Sequence, residues 1–95
     1  MRVQFTKREN GPERLAAEAE LCFDGTGSVL DGTKLAGFSV WASPDGEFYV
    51  TVPARGFGAG RDRRYFDFLR VQESGNEAMK RVKSWILDAF KEWNQ

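Results

Sequence analysis

The sequence predicts an α+β domain: an antiparallel sheet of about five strands, followed by one C-terminal amphipathic helix that packs on it. Apolar and polar residues alternate through most of the first 70 residues, which is the pattern of half-buried strands. Beyond residue 74 the apolar residues recur at spacings of three and four, which is the pattern of a helix. A chain of 95 residues is predicted to be one domain, 1–95, because two separate cores would each be too small.

The first two strands are predicted on either side of the break Asn10-Gly11-Pro12. In the first, Val3 and Phe5 alternate with polar residues. The second covers residues 14–24, where a helix is the rival interpretation but would scatter the apolar residues around its axis. Its predicted apolar face comprises Leu15, Ala17, Ala19, Leu21 and Phe23, and its polar face comprises Glu18, Glu20 and Cys22.

A hairpin is the most strongly indicated part of the sheet. Strands are predicted over residues 35–41 and 47–52, joined by the turn sequence Ser43-Pro44-Asp45-Gly46. Pro53 ends the second of these strands, because proline has no N–H to donate to a sheet. The residues between Asp24 and Gly32 are rich in turn formers and are predicted to be a loop.

The remaining elements are a glycine-rich loop, a last strand and the helix. The loop covers residues 55–60, and the strand covers 64–70 with Phe66 and Phe68 on one face. The helix is predicted from Glu77 to Trp93, with Ser74 and Glu77 forming a capping box at its start. Its apolar stripe comprises Met79, Val82, Ile86, Ala89, Phe90 and Trp93.

The cysteine and histidine content argues against an enzyme. Cys22 is the only cysteine and the chain has no histidine, so an intramolecular disulfide, the usual zinc sites and the common catalytic triads have no residues to form them. We therefore expect no catalytic residues, no metal, no cofactor and no small-molecule substrate. The start of the chain lacks a signal-peptide pattern and no membrane-spanning apolar run is present, so a cytoplasmic location is predicted.

Positive charge is concentrated in one segment of an otherwise neutral chain. Residues 1–53 balance to −3 and residues 71–95 to zero, whereas residues 54–70 carry five arginines and two aspartates, a balance of +3. Arginine makes bidentate contacts to phosphate that lysine cannot reproduce. Asp62 and Asp67 are expected to form salt bridges with these arginines, and Glu18 and Glu20 to face solvent.

Two interpretations of this segment are open. It is a surface that contacts nucleic-acid phosphate, with glycines admitting an anion to the backbone and aromatic rings stacking on bases. Alternatively, it is a flexible loop whose arginines keep an aromatic edge soluble. The residues that would contact nucleic acid are Arg55, Phe57, Arg61, Arg63, Arg64, Tyr65 and Arg70.

Residues 34–90 contain a series of short motifs in a fixed order. They are Phe38-Ser39-Val40, Asp45-Gly46, the run from Phe48 to Arg55 that contains Val52-Pro53-Ala54, and Arg64-Tyr65-Phe66-Asp67 before a terminal helix. In these motifs the chain resembles the SpoVG family of small bacterial regulators. This resemblance implies a dimeric sheet-and-helix fold that binds DNA or RNA, with Arg55 in the family's proline–small–arginine segment. A more distant resemblance, in the order of strands and helix, is to purine-rich-element-binding (PUR) repeats, and it implies single-stranded nucleic-acid binding.

The function predicted from these observations is a nucleic-acid-binding regulator that acts as a homodimer, with single-stranded and duplex DNA or RNA both left open as ligands. The competing prediction is a protein-interaction module or a homodimeric structural domain without affinity for nucleic acid, which would use an exposed aromatic sheet face or a helix–helix dimer contact.

Overall fold

The computed structural model describes residues 1–94 and confirms the α+β class. It contains six strands in two antiparallel sheets, where the sequence predicted about five in one. The elements are β1 (Arg2–Thr6), β2 (Leu15–Cys22), β3 (Lys34–Ala42), β4 (Phe48–Thr51), β5 (Ala54–Phe57), β6 (Arg64–Asp67) and α1 (Glu77–Trp93). The strands β1-β2-β3-β4 form the main sheet in chain order, and β5 and β6 form a separate hairpin.

The core lies between one face of the main sheet and α1. Its largest side chains, Phe38, Val40, Ile86 and Phe90, are at most 1% exposed. Phe90 packs its ring edge-on against Phe5 at 5.8 Å between centroids. Burying side chains of this size contributes about 1.5–3 kcal/mol each, so the helix is held by its apolar stripe. None of the helices in residues 1–94 combines the length and the apolar character needed to cross a bilayer.

The helix has the predicted bounds, but the predicted capping box is absent. Asn76 is the N-cap residue, and its side chain makes no capping hydrogen bond. Gly75 has φ = +105°, which lies outside the helical region. Ser74 therefore stands outside the helix start and cannot reach the N–H of Glu77 in the manner of a capping box.

A β-bulge in β2 corrects the predicted face of Leu15. Leu15 pairs with Trp41 and Ala17 pairs with Val40, so Ala16 is an extra residue between the two pairs. Leu15 consequently shares the face of Trp41, away from the helix, while Ala16 packs against the core. The predicted alternation holds from Ala17 onward, because one inserted residue reverses every face that precedes it.

The polar face of β2 is more buried than predicted. Glu18 and Glu20 are half-buried and form ion pairs with Arg8 and Lys34 at 3.4 and 3.0 Å. Cys22 shares that face but is only 5% exposed, with its Sγ 3.9 Å from Oε1 of Gln4. The strand surface that was predicted to face solvent is therefore half-buried and carries ion pairs.

The predicted hairpin and the loop that precedes it are both confirmed. In the turn between β3 and β4, the N–H of Gly46 donates to the carbonyl of Ser43 at 3.1 Å. In the loop between β2 and β3, the Asp31 carboxylate accepts hydrogen bonds from the Thr26 hydroxyl and from the N–H groups of Thr26 and Gly27. These hydrogen bonds lower the pKa of Asp31, and the bond from the Thr26 hydroxyl has the largest effect.

The main sheet ends where Pro53 meets Gly37. Gly37 is the extra residue of a second bulge, between the pairs Ala19–Phe38 and Glu20–Ala36, and has φ = +106°. A Cβ at Gly37 would lie 3.0 Å from the Cβ of Pro53. Because Pro53 has no N–H to donate to β3, β4 ends before it, as the sequence predicts. The chain leaves the main sheet at this point and continues into β5, which the sequence did not predict.

We expect Gly37→Ala to destabilise the domain, because alanine disfavours the positive φ and its Cβ would press on Pro53. A strained backbone residue costs on the order of 1–3 kcal/mol in free energy of unfolding, and urea denaturation followed by circular dichroism measures the loss. Gly27→Ala is the matched control, because Gly27 also has a positive φ but has no atom within 4 Å. Equal losses at the two positions would contradict a contribution from the Pro53 contact.

Candidate functional site

Residues 54–68, which we call the arm, project from the main sheet as a two-stranded hairpin. Every residue of the arm is exposed except Gly56, which is half-buried. Its base is closed by a hydrogen bond from the N–H of Phe68 to the carbonyl of Pro53, 2.7 Å long. The Cα radius of gyration is 14.5 Å, whereas a compact domain of this length has a radius of about 12 Å. The larger value agrees with a hairpin that projects from the main sheet.

The arm contains all but one of the predicted site residues. Arg55 and Phe57 lie on β5, Arg61 in the turn, Arg63 just before β6, and Arg64 and Tyr65 on β6, whereas Arg70 lies beyond the arm near its base. The predicted loop 55–60 is wrong over its first three residues, which belong to β5. The predicted strand 64–70 ends early, at Asp67, because β5 offers no partner beyond Ala54.

The tip of the arm is a tight turn. Gly58 has φ = +84°, and Gly60–Asp62 forms a single 3₁₀ turn. A Cβ at Gly58 would lie 2.7 Å from the carbonyl oxygen of Asp62. The close approach of these two backbone segments explains why a glycine is needed at this position.

The two faces of the arm carry different rings. Arg55 pairs with Phe66 and Phe57 with Arg64, so these four side chains share one side, the phenylalanine face. Phe57 and Phe66 meet edge to face at 5.4 Å between centroids. Gly56 pairs with Tyr65 on the opposite side, the tyrosine face.

A guanidinium lies over an aromatic ring on each face. The Cζ of Arg55 is 4.9 Å from the centroid of Phe57, and that of Arg63 is 5.2 Å from the centroid of Tyr65. Each arginine precedes its ring by two residues, the spacing that places side chains on the same side of a strand. Such cation–π contacts contribute about 0.5–1 kcal/mol at exposed sites.

Gly56 leaves space for the contact between Arg63 and Tyr65, a contact that was not predicted from the sequence. A Cβ at this position would lie 2.9 Å from Nε of Arg63 and 3.1 Å from Cε1 of Tyr65. The arginine-x-aromatic spacing was visible in the sequence, but it predicts a contact only where the residues form a strand. Residues 55–57 were predicted to be a loop, so the first pair was missed as well.

The arginines of this region have no ion-pair partners among residues 1–94. In the main sheet, by contrast, Arg2, Arg8 and Lys34 each pair with a carboxylate. The predicted salt bridges of Asp62 and Asp67 are therefore wrong. Closeness in sequence did not bring the charged atoms together, because Asp62 lies in the turn and Asp67 at the base of β6 opposite Ala54. The positive charge of the arm is thus not neutralised by neighbours.

Arg70 differs from the other predicted arginines. Its Nε donates to the backbone carbonyl of Asp67 at 2.7 Å, which directs part of the guanidinium back toward the base of the arm. It also lines an open cleft of about 480 Å³ between residues 69–75 and the start of α1. Within the described part of the chain, no three cysteine, aspartate or glutamate side chains gather into a metal-binding cluster.

Four aromatic rings of the arm remain accessible. The exposed fractions are 47% for Phe57, 65% for Tyr65, 46% for Phe66 and 63% for Phe68. The sequence-based site included the first two rings and omitted the last two. Since about half or more of each ring can be reached from solvent, the arm presents aromatic surface beside unpaired guanidinium groups.

We expect Gly58→Ala to disrupt the arm and leave the rest of the domain folded. The substitution combines a disfavoured φ with a clash against the Asp62 carbonyl. Amide NMR spectra should show shifted signals over residues 54–68 and unchanged signals in α1. Gly60→Ala is the control, because its φ is also positive but no atom lies within 4 Å. Larger changes for Gly60→Ala than for Gly58→Ala would contradict this account of the turn.

No protein-family model matches this chain, and no curated protein or solved structure matches it either. The resemblances to the SpoVG family and to PUR repeats therefore stay predictions. What the protein does has to be inferred from its own residues, and chiefly from those of the arm.

Proposed function

We propose that this protein is a non-enzymatic, nucleic-acid-binding regulator that contacts DNA or RNA through the arm. The observation that carries the proposal is an exposed hairpin on which arginines without ion-pair partners alternate with accessible aromatic rings. The contacting residues are those predicted from the sequence, Arg55, Phe57, Arg61, Arg63, Arg64, Tyr65 and Arg70, with Phe66 and Phe68 added.

The chemistry of the arm matches both parts of a nucleotide. Guanidinium groups bind phosphate through charge-assisted, bidentate hydrogen bonds. Aromatic rings stack on the flat faces of bases, which every nucleotide possesses. Because the whole chain is electrically neutral, the attraction would come from a local excess of positive charge, and residues 54–70 carry that excess. It acts over about 8–10 Å at physiological ionic strength.

The protein is further proposed to act as a homodimer in the cytoplasm, with no cofactor and no small-molecule substrate. Exposed apolar side chains in a small domain favour self-association. On the face of the main sheet away from α1, Tyr49 pairs with Trp41 and is 48% exposed. Sedimentation analysis tests the dimer: Tyr49→Ser should shift the protein toward monomer, whereas Lys91→Ala, an exposed change on α1, should not. A wild-type protein that stays monomeric at high concentration would contradict this part of the proposal.

The exposed aromatic rings of the arm support a second candidate function, a protein-interaction module. Phe57, Phe66 and Phe68 could contact another protein without any nucleic acid. The dependence of affinity on salt distinguishes the two functions. Phosphate binding by the arginines depends steeply on salt, whereas a mainly apolar contact does not.

We expect the protein to bind labelled single-stranded or duplex oligonucleotides, with an affinity that falls as salt rises. Raising the salt from about 50 to 200 mM should weaken binding about tenfold for two phosphate contacts and about a hundredfold for four. Fluorescence anisotropy measures the affinity. The triple substitution of Arg61, Arg63 and Arg64 to Ala should abolish most of the binding.

The control for this experiment carries the same change of charge on another surface. Lys80, Arg81 and Lys91 are exposed on α1, outside the arm, and their triple substitution to Ala should leave the affinity within about twofold. The absence of binding at the lower salt concentration would refute the nucleic-acid function. Equal losses in the two triple variants would retain the function and refute the arm as its site.

A further inference from the structure

We propose that Arg55 and Arg63 are stacking platforms for nucleobases, whereas Arg61 and Arg64 contact phosphate. This inference rests on the proposed function and assigns different chemistry to arginines that the sequence does not distinguish. It follows that the preferred ligand of the arm is a strand whose bases are unpaired.

The position of each guanidinium supports this assignment. The guanidinium of Arg55 is held against the ring of Phe57, and that of Arg63 against the ring of Tyr65. Both arginines are exposed, so part of each side chain remains accessible to a ligand. A guanidinium is planar and weakly hydrated, and its flat side stacks on bases. A base placed there would complete a stack of ring, guanidinium and base.

Arg61 and Arg64 are placed differently. Neither lies over a ring, and neither forms a side-chain hydrogen bond or an ion pair within residues 1–94. Arg61 is in the tip turn and Arg64 is on β6, so both forks are free to turn toward a phosphate. The two pairs of arginines can therefore make their contacts at the same time.

The arrangement of the stacking pairs favours unpaired bases over a duplex. Arg55 lies on the phenylalanine face and Arg63 on the tyrosine face, so bases would be held on both sides of the arm. In a duplex the flat sides of the bases are hidden by their neighbours and only the edges are accessible.

Lysine substitutions separate the two roles, because lysine preserves the positive charge and loses the flat surface. We compare the double variant Arg55→Lys/Arg63→Lys with Arg61→Lys/Arg64→Lys. The first should bind a single-stranded oligonucleotide at least tenfold more weakly, since stacking is worth about 1–3 kcal/mol per base. The second should stay within about threefold of the wild type.

The dependence of affinity on salt gives a second, independent readout. Replacing Arg61 and Arg64 by Ala should reduce the slope of log K against log salt by about 1.4, which corresponds to two contacts on a single strand. Replacing Arg55 and Arg63 by Ala should weaken binding and leave this slope unchanged. Equal changes of slope in the two variants would overturn the assignment.

Three ligands of equal length complete the test: a mixed single strand, its duplex and an abasic strand with the same number of phosphates. The wild type should prefer the single strand, and its preference over the abasic strand should be reduced in Arg55→Lys/Arg63→Lys but not in Arg61→Lys/Arg64→Lys. If the abasic strand or the duplex binds as tightly as the single strand, the inference falls and the proposed function stands. If none of the three binds, both fall.

Gly56→Ala perturbs one platform without changing any charge. Its Cβ would displace the flexible end of Arg63 from Tyr65, so the hairpin can keep its backbone. We expect weaker binding of the single strand, an unchanged salt slope and shifted Tyr65 ring signals in the NMR spectrum. Unchanged affinity in a variant whose Tyr65 signals have shifted would overturn the role of Arg63.

Discussion

The contact between Pro53 and Gly37 determines where the main sheet ends and the arm begins. Pro53 cannot donate a hydrogen bond to β3, and the bulge at Gly37 leaves space for its ring. If this position could pair with β3, β4 would continue along the main sheet. Because it cannot, the chain leaves the sheet, and Phe68 returns to the carbonyl of Pro53 to close the arm.

The departure of the chain at Pro53 separates the core, which stabilises the domain, from the arm, which we propose binds nucleic acid. The core side chains, including Phe38 and Phe90, lie between the main sheet and α1. The basic residues Arg8 and Lys34 are paired with carboxylates of β2 on the opposite face of the sheet. The arm has little buried surface and keeps its arginines free of such partners. Changes to its exposed side chains therefore alter the surface offered to a ligand and leave the main core intact.

The elements that the sequence predicts best depend on local patterns. The bounds of α1 follow from its apolar spacing, and the hairpin of β3 and β4 follows from a turn that encodes its own geometry. The bulges at Ala16 and Gly37 leave no such pattern, and each reverses the faces of the residues beyond it. For the proposed site, the concentration of positive charge in residues 54–70 indicated the arginines. The pairing of Arg63 with Tyr65 was missed because it depends on the bare backbone of Gly56 across the hairpin.

The pairs of side chains that form the proposed binding surface also help to hold the arm together in the absence of a ligand. An isolated two-stranded hairpin is marginally stable in water. Here the contact of Phe57 with Phe66 contributes about 0.5–1.5 kcal/mol, and each guanidinium–ring pair adds about 0.5–1 kcal/mol. Because the rings and guanidinium groups are already ordered, less conformational entropy is lost on binding. The arginines over the rings thus contribute to the structure of the arm as well as to its surface.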